Sequence, residues 1–226
     1  MNHKNICIEG VIGVGKTSLS SLLSERFSAR TVLESVEENP FLSKFYEDRT
    51  AFAFQTQLWF LLSRYRQITD EMIQQNLFHE VVISDYLFAK DRIFATINLD
   101  DNELALYDSI AKLLEARVVK PDLVIYLQAS TDVLMKRIHK RSRPYEAAMD
   151  RKYIESLNEA YNHFFFHYTD SALLIINTSE LDFVANDGDL EEIIGQIRQT
   201  RSGINYYQPL RREDRMKIAG GDNQKQ

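Results

Sequence analysis

The chain has 226 residues, 44% of them hydrophobic and 27% charged, which is enough for one domain with a substantial core and is ordinary for a soluble globular protein. A net charge of −6 argues against broad binding to polymeric nucleic acid, and no apolar run approaches the roughly 18 residues of a membrane span. The single cysteine, Cys7, excludes a disulfide framework within the chain, and MNHKNICIEG enters a strand pattern at once, leaving no room for a signal peptide, so a reducing cytoplasm is the expected location.

The predicted elements alternate along the chain. A strand at 5–9 is followed by a glycine-rich loop and a helix at 17–27, then a strand at 31–34 and a long helix at 50–76. Further strands fall at 80–84, 122–127 and 172–177, with helices at 101–117, 131–141, 150–168 and 189–200. Ser130, Thr131 and Asp132 offer caps for the helix at 131–141. The last three strands are continuous Val/Ile/Leu runs, the pattern of a parallel sheet buried on both faces. The expectation is an α/β fold with a five-stranded parallel sheet flanked by helices. It forms one domain over 1–202 with a polar, flexible tail at 203–226, docked in part by Tyr206, Tyr207 and Leu210.

Residues 10–17, Gly-Val-Ile-Gly-Val-Gly-Lys-Thr, complete the pattern G-x-x-x-x-G-K-[ST] between the strand and the helix. In such a loop the backbone N–H groups from Gly10 through Gly13, Val14 and Gly15 wrap a polyphosphate. Lys16 reaches the β- and γ-phosphates, Thr17 holds Mg²⁺, and the helix N-terminus favours the same anion. The loop therefore predicts a nucleoside triphosphate, and leaves the reaction open.

Ligands of an open α/β sheet sit beyond the carboxyl ends of its strands, so residues just after each strand become candidates. Glu34 can accept the proton of an attacking hydroxyl, against a competing reading of Glu34, Glu37 and Glu38 as a solvated acidic turn before Pro40. Asp85 closes EVVISD where a carboxylate near Mg²⁺ is wanted, and could equally cap a helix. Residues 136–143, KRIHKRSR, carry five Lys or Arg in an acidic chain. Arg137 and Arg141 share a helix face, and Arg143 precedes the break at Pro144. Such a cluster suits a lid that neutralises phosphoryl charge, or else a solvated helix end. Gln57 and Arg64 lie on one face of the long helix among apolar residues, as a reader of a planar polar group or as polar edges of a core helix. His163 and His167 have no third ligand and read as an aromatic core edge.

Together these residues resemble the deoxyribonucleoside kinase family, the group with the deoxycytidine, deoxyguanosine and bacterial deoxyadenosine kinases, from the loop to about residue 200. Glu34-Ser35-Val36 is similar to its Glu-Pro-Val element, whose Glu is the base for the 5′-hydroxyl. ENPFLSKFYED resembles the bacterial purine enzymes. The resemblance gives Tyr46 and Glu146 to the sugar 3′-hydroxyl, Gln57 and Arg64 to the base, and Asp91 to pairing with Arg64 and touching the base. It gives Arg137, Arg141 and Arg143 to phosphate, Thr17 and Asp85 to Mg²⁺, and implies a homodimer.

Three positions depart from the family pattern. Ser35 replaces Pro, Asn39 replaces a Trp, and Tyr86 stands where an Arg usually sits by the phosphates. In the family such a pair accompanies deoxycytidine and purine deoxynucleosides and is lacking in thymidine-preferring members, so the resemblance of Arg64 and Asp91 to it, with an Asp that can accept from an exocyclic amine, favours a purine deoxynucleoside, deoxyadenosine or deoxyguanosine. The expected activity is ATP-dependent phosphorylation of its 5′-hydroxyl. A thymidylate-type monophosphate kinase and a nucleotide-binding regulatory module are the alternatives.

Overall fold

The computed structural model describes residues 3–74, 80–146 and 149–210, with the backbone alone at 71–74. Its centre is a six-stranded sheet. The strands are β1 (Asn5–Gly10), β2 (Arg30–Val32), β3 (Val82–Ser84), β4 (Leu123–Gln128), β5 (Ala172–Asn177) and β6 (Ile204–Tyr207). Their order is β2-β3-β1-β4-β5-β6, and every pairing is parallel. The helices are α1 (Lys16–Phe27), α2 (Leu42–Glu47), α3 (Arg49–Gln74), α4 (Lys90–Asn98), α5 (Asp101–Glu115), α6 (Thr131–Arg141), α7 (Arg151–Phe166) and α8 (Asp187–Gln199).

The central strands are buried because their side chains are apolar on both faces: Ile6, Ile8, Val124, Ile125, Leu127, Leu173 and Ile176 are all enclosed. The chain leaves β1 toward β2 on one side, returns through β3, and then builds β4 on the other side. The carboxyl end of β1 is therefore a topological switch point, where a crevice opens. Ser130 caps α6, its hydroxyl accepting from Val133 N at 3.4 Å.

The sixth strand corrects the expected five, and it begins inside the segment read as tail. Tyr207 is half-buried, and its hydroxyl donates to Glu192 Oε2 at 2.5 Å. The strand escapes sequence reading because INYY is four residues long and alternates exposed with half-buried positions, so it carries no apolar run. Residues 211–226 of the expected tail, and 75–76 of the expected long helix, lie outside the described residues. His163 and His167 are exposed rather than at a core edge, with rings 4.7 Å apart. Among the described residues, no His/Cys/Asp/Glu group could hold a metal by itself, and no helix is long and apolar enough to cross a membrane.

The loop after β1 has a backbone open only to glycine. Gly10 sits at φ +151° with the carbonyl oxygen of Leu127 on β4 only 2.5 Å from where a Cβ would lie. Gly10→Ala is therefore expected to cost about 2–4 kcal/mol through strain and strand displacement. A thermal melt with and without ATP checks this: a lower midpoint and a smaller ATP-induced shift are expected.

Candidate active site

Three chain reversals place the functional groups at one edge of the sheet. The loop 10–15 joins β1 to α1, Glu34 lies two residues beyond β2, and Asp85 directly follows β3. They meet at a cleft of about 480 Å³, in the size range of small-ligand sites. Helices α2 and α3 supply Tyr46, Gln57 and Arg64 to its wall; α4 supplies Lys90; the segment after α6 supplies Arg143 and Glu146.

On the loop side, Lys16 Nζ donates to the carbonyl oxygen of Gly10 at 2.7 Å. Burial, with Lys90 adding to it, lowers the Lys16 ammonium to about 8. The Thr17 hydroxyl donates to Asp85 Oδ2 at 2.6 Å, while Asp85 Oδ1 accepts from the backbone N–H of Glu34 at 2.7 Å. A hydroxyl and a carboxylate oxygen in contact at the mouth of a phosphate loop are hard oxygen donors of the kind Mg²⁺ accepts alongside phosphates, so these residues fit that ion.

Opposite them lies a buried charge network. Arg64 donates to Glu34 Oε1 through both Nε, at 2.8 Å, and Nη2. Its Nη1 donates to Asp91 Oδ1, and the Tyr107 hydroxyl donates to Asp91 Oδ2 at 2.9 Å. Lys90 Nζ donates to Glu34 Oε2 at 2.6 Å. Burial pushes the Glu34 carboxyl up, but Arg64 and then Lys90 overcome it and hold the group well below the usual carboxylate range. Glu34 is thus ionised at neutral pH and weakly basic. An ionised carboxylate accepts about four hydrogen bonds. Among the described residues three are taken, two on Oε1 and one on Oε2, which leaves the open acceptor site on Oε2.

Farther in, Gln57 is 2% exposed, and its side-chain oxygen has no hydrogen-bond partner among the described residues. An orphaned buried acceptor on a cleft wall is costly unless a ligand donates to it. Tyr46 stacks on Tyr145 with centroids 6.1 Å apart, closing the side of the cleft near Glu146. Arg141 is held by Glu146 through Nε, at 3.3 Å, and Nη2, while Arg143 Nη1 donates to the Tyr145 hydroxyl at 2.7 Å.

Some expected positions differ in the fold. Arg137 faces away from the cleft. Its guanidinium donates to the carbonyl of Val14 at 3.0 Å, to the Thr178 hydroxyl and carbonyl, and to the carbonyl of Leu181 at 3.2 Å. It ties the phosphate loop to the turn after β5 and is not among the residues lining the cleft. Asp91 pairs with Arg64 as expected, but it is 1% exposed with both oxygens taken by protein groups. It stands behind Arg64 and does not line the cleft. Tyr86 is buried, its hydroxyl unpartnered among the described residues; it lines an apolar pocket with Cys7 and Ser84, and Arg64, Glu34 and Asp85 act on its hydroxyl. Asn39 caps locally, accepting from Phe41 N at 2.9 Å and donating to the carbonyl of Thr56 at 3.3 Å.

Glu9 and Lys90 were absent from the sequence reading. Glu9, fully buried at the end of β1, accepts from the N–H of Gly10 at 2.8 Å and of Leu87 at 2.9 Å, tying the phosphate loop to the segment after Asp85. A charged residue ending an apolar strand just before the loop's first glycine was the available signal. Lys90 had a weaker one, its place beside Asp91 one turn after Tyr86.

The sequence model of the deoxynucleoside kinase family matches residues 6–201. A deoxyguanosine kinase from Bacillus subtilis (strain 168) is 35% identical over 198 residues, covering 86% of this chain and 96% of that protein. A deoxyadenosine kinase from Lactobacillus acidophilus is 31% identical over 206 residues, covering 85% of this chain and 94% of the relative. Among solved structures, a deoxyadenosine kinase from M. mycoides with bound dATP is similar, with a TM-score of 0.75 and 28% identity over 85% of this chain and 98% of that one.

Proposed function

The chain belongs to the deoxynucleoside kinase family, and from that premise we propose that it transfers the γ-phosphoryl group of ATP to the 5′-hydroxyl of a purine deoxynucleoside. The observation that carries the proposal is a single cleft whose lining holds Lys16 and Thr17 of the phosphate loop, the ionised Glu34 and the orphaned Gln57 oxygen together. That is room and chemistry for a donor and an acceptor in contact.

In this reading, the loop N–H groups and Lys16 hold the polyphosphate. Glu34 Oε2 receives the 5′-hydroxyl and takes its proton as the phosphoryl group moves. Its low basicity suits a loose transition state, in which the hydroxyl keeps its proton until bonding is advanced. Gln57 accepts from a base N–H and donates to a ring acceptor, a pairing available from purines. Tyr46 and Glu146 take the 3′-hydroxyl of the sugar. Arg141 and Arg143 turn toward phosphate by exchanging Glu146 and Tyr145 for it, and so close out water. Thr17 and Asp85 would hold Mg²⁺, which when bound supplies charge neutralisation to the phosphates.

A homodimer in the cytoplasm is part of the same proposal. Leu106 and Leu113 on α5 and Phe166 on α7 are exposed apolar side chains that a second copy would cover, giving a solution mass twice the 26.4 kDa of one chain.

The deciding experiment is turnover of the four deoxynucleosides with ATP. Deoxyadenosine or deoxyguanosine is expected to give the highest kcat/KM of the four, in line with the deoxyguanosine and deoxyadenosine kinases to which the chain is similar. Phosphorylation of thymidine monophosphate alone would overturn the reading, and ATP binding without any transfer would leave a regulatory module.

A further inference from the structure

The geometry points to Lys90 as a further catalytic residue, one whose ammonium passes from Glu34 to the oxygens of the transferring phosphoryl group as the acceptor binds. Lys90 is the first residue of α4, 5% exposed, and lines the cleft. An ammonium carries three N–H donors. Among the described residues it makes one hydrogen bond, to Glu34 Oε2. Two donors are therefore unspent in a nearly enclosed group whose ring contact, Phe94 at 5.8 Å, offers no acceptor. Nature rarely leaves a buried cation so underused without a ligand to meet it.

The position of the open site on Glu34 gives the ligand. That site lies on Oε2, the oxygen Lys90 already holds. A hydroxyl donating there comes within about 4–4.5 Å of Nζ, the spacing of two partners on one carboxylate oxygen. The same oxygen, once attacking, is bonded to the phosphoryl group. Lys90 thus stands beside the place where negative charge gathers, on the acceptor side, while Lys16 stands on the donor side. The influence of Lys90 on Lys16 reflects this closeness across the cleft.

One move does two things. Release of Lys90 from Glu34 removes one of the two cations that weaken this carboxylate as a base. It also brings a positive charge to the phosphoryl oxygens. The balance is complete: the 5′-oxygen forms its bond to phosphorus as the bond from phosphorus to the β-phosphate oxygen breaks. The hydroxyl proton goes to Glu34 Oε2, ADP leaves, and Lys90 keeps its proton throughout.

The inference rests on the kinase reading above, and its test separates the two. Absence of deoxynucleoside turnover in the unaltered chain would overturn both. With turnover established, Lys90→Gln keeps a donor for Glu34 and removes the charge. It is expected to lower kcat about 10- to 100-fold with KM for the deoxynucleoside changed less than about threefold, the pattern of an interaction made in the transition state. Lys90→Arg should recover at least tenfold of that loss when the loss is large enough. The double variant with Glu34→Gln keeps the buried pair neutral and guards against misfolding of the single variant. If Lys90 only balances the charge of Glu34, the double variant turns over as fast as Glu34→Gln alone, and the proposal is wrong. If Lys90 acts on the phosphoryl group, the double variant is slower by at least about fivefold. A Lys90→Gln enzyme with unchanged kcat, or with its whole loss in KM, would equally overturn it.

Discussion

Replacing Glu34 with Gln is expected to lower kcat by about two to four decades, the range for removing a positioned general base. The reason lies in what Gln cannot do. It preserves the shape and one acceptor, but takes no proton from the 5′-hydroxyl. The variant keeps the Arg64–Asp91 ion pair but leaves the buried Lys90 ammonium without its carboxylate, so a lowered melting midpoint is expected beside the loss of turnover. It should still bind ATP, because Thr17 of the loop reaches this segment through Asp85, which accepts the backbone N–H of residue 34 and is untouched by the substitution. So KM for ATP should stay within a few-fold of the original while turnover falls. Steady-state kinetics with a radiolabelled donor, beside a thermal melt, checks both halves. Turnover within tenfold of the unaltered enzyme would remove Glu34 from the role of base and leave it a structural anchor for Arg64.

Arg64→Met is the second large effect, and it acts first on stability. Arg64 is 4% exposed and neutralises two carboxylates, Glu34 and Asp91. Met fills much of the same volume but leaves Asp91 with only the Tyr107 hydroxyl. Removing one partner of a buried pair costs about 3–5 kcal/mol, because the charge left behind stays desolvated. For a chain of this size that corresponds to a fall in the melting midpoint of about 10 °C.

The pH dependence identifies the cause. Burial already raises the Asp91 carboxyl, and Arg64 is the largest influence opposing it. Without Arg64 the folded-state value rises further above the unfolded one, so the folded variant binds a proton that the unfolded chain releases. Its stability is then greatest below the unfolded carboxylate value and falls as pH rises through the folded one. The deficit relative to the unaltered chain should be smaller near pH 5 than near pH 8. A deficit independent of pH would mean packing loss instead. Melts of Arg64→Met in the two buffers decide it.

The cleft shows which kinds of residue a sequence exposes to reading. Lys16 and Thr17 belong to a local motif whose spacing carries its own mechanism, so their place is legible without a fold. Glu34 and Asp85 follow from position, each just past an apolar strand whose carboxyl end must face the crevice. Arg137 misleads because helical spacing gives Arg137 and Arg141 a shared stripe, whereas their ends diverge: one guanidinium reaches carbonyls of the loop and of the turn after β5, the other reaches Glu146. A long flexible side chain takes whichever acceptors the packing leaves, and those come from segments distant in sequence. Lys90 shows the opposite failure. Its place beside Asp91 is a faint local signal, and only the meeting of α4 with the segment after β2, 56 residues away, puts its ammonium on Glu34.

The amino-acid sequence by itself determined the alternation of apolar runs with helical segments, and hence a parallel sheet. It also determined the phosphate loop, held to glycine by its backbone, and the carboxylates that follow β2 and β3. These are local properties, fixed by the period of hydrophobic residues and by backbone sterics. The tertiary structure alone decided that Ile204–Tyr207 joins the sheet as a sixth strand, since a short, half-exposed edge is defined by its neighbour and not by its composition. It alone decided the charge pattern of the cleft: which cations hold Glu34, and that Asp91 stands behind Arg64. Coulomb interactions and burial depend on distance in space, and residues 34, 64, 90 and 91 acquire their distances only when β2, α3 and α4 close on one another.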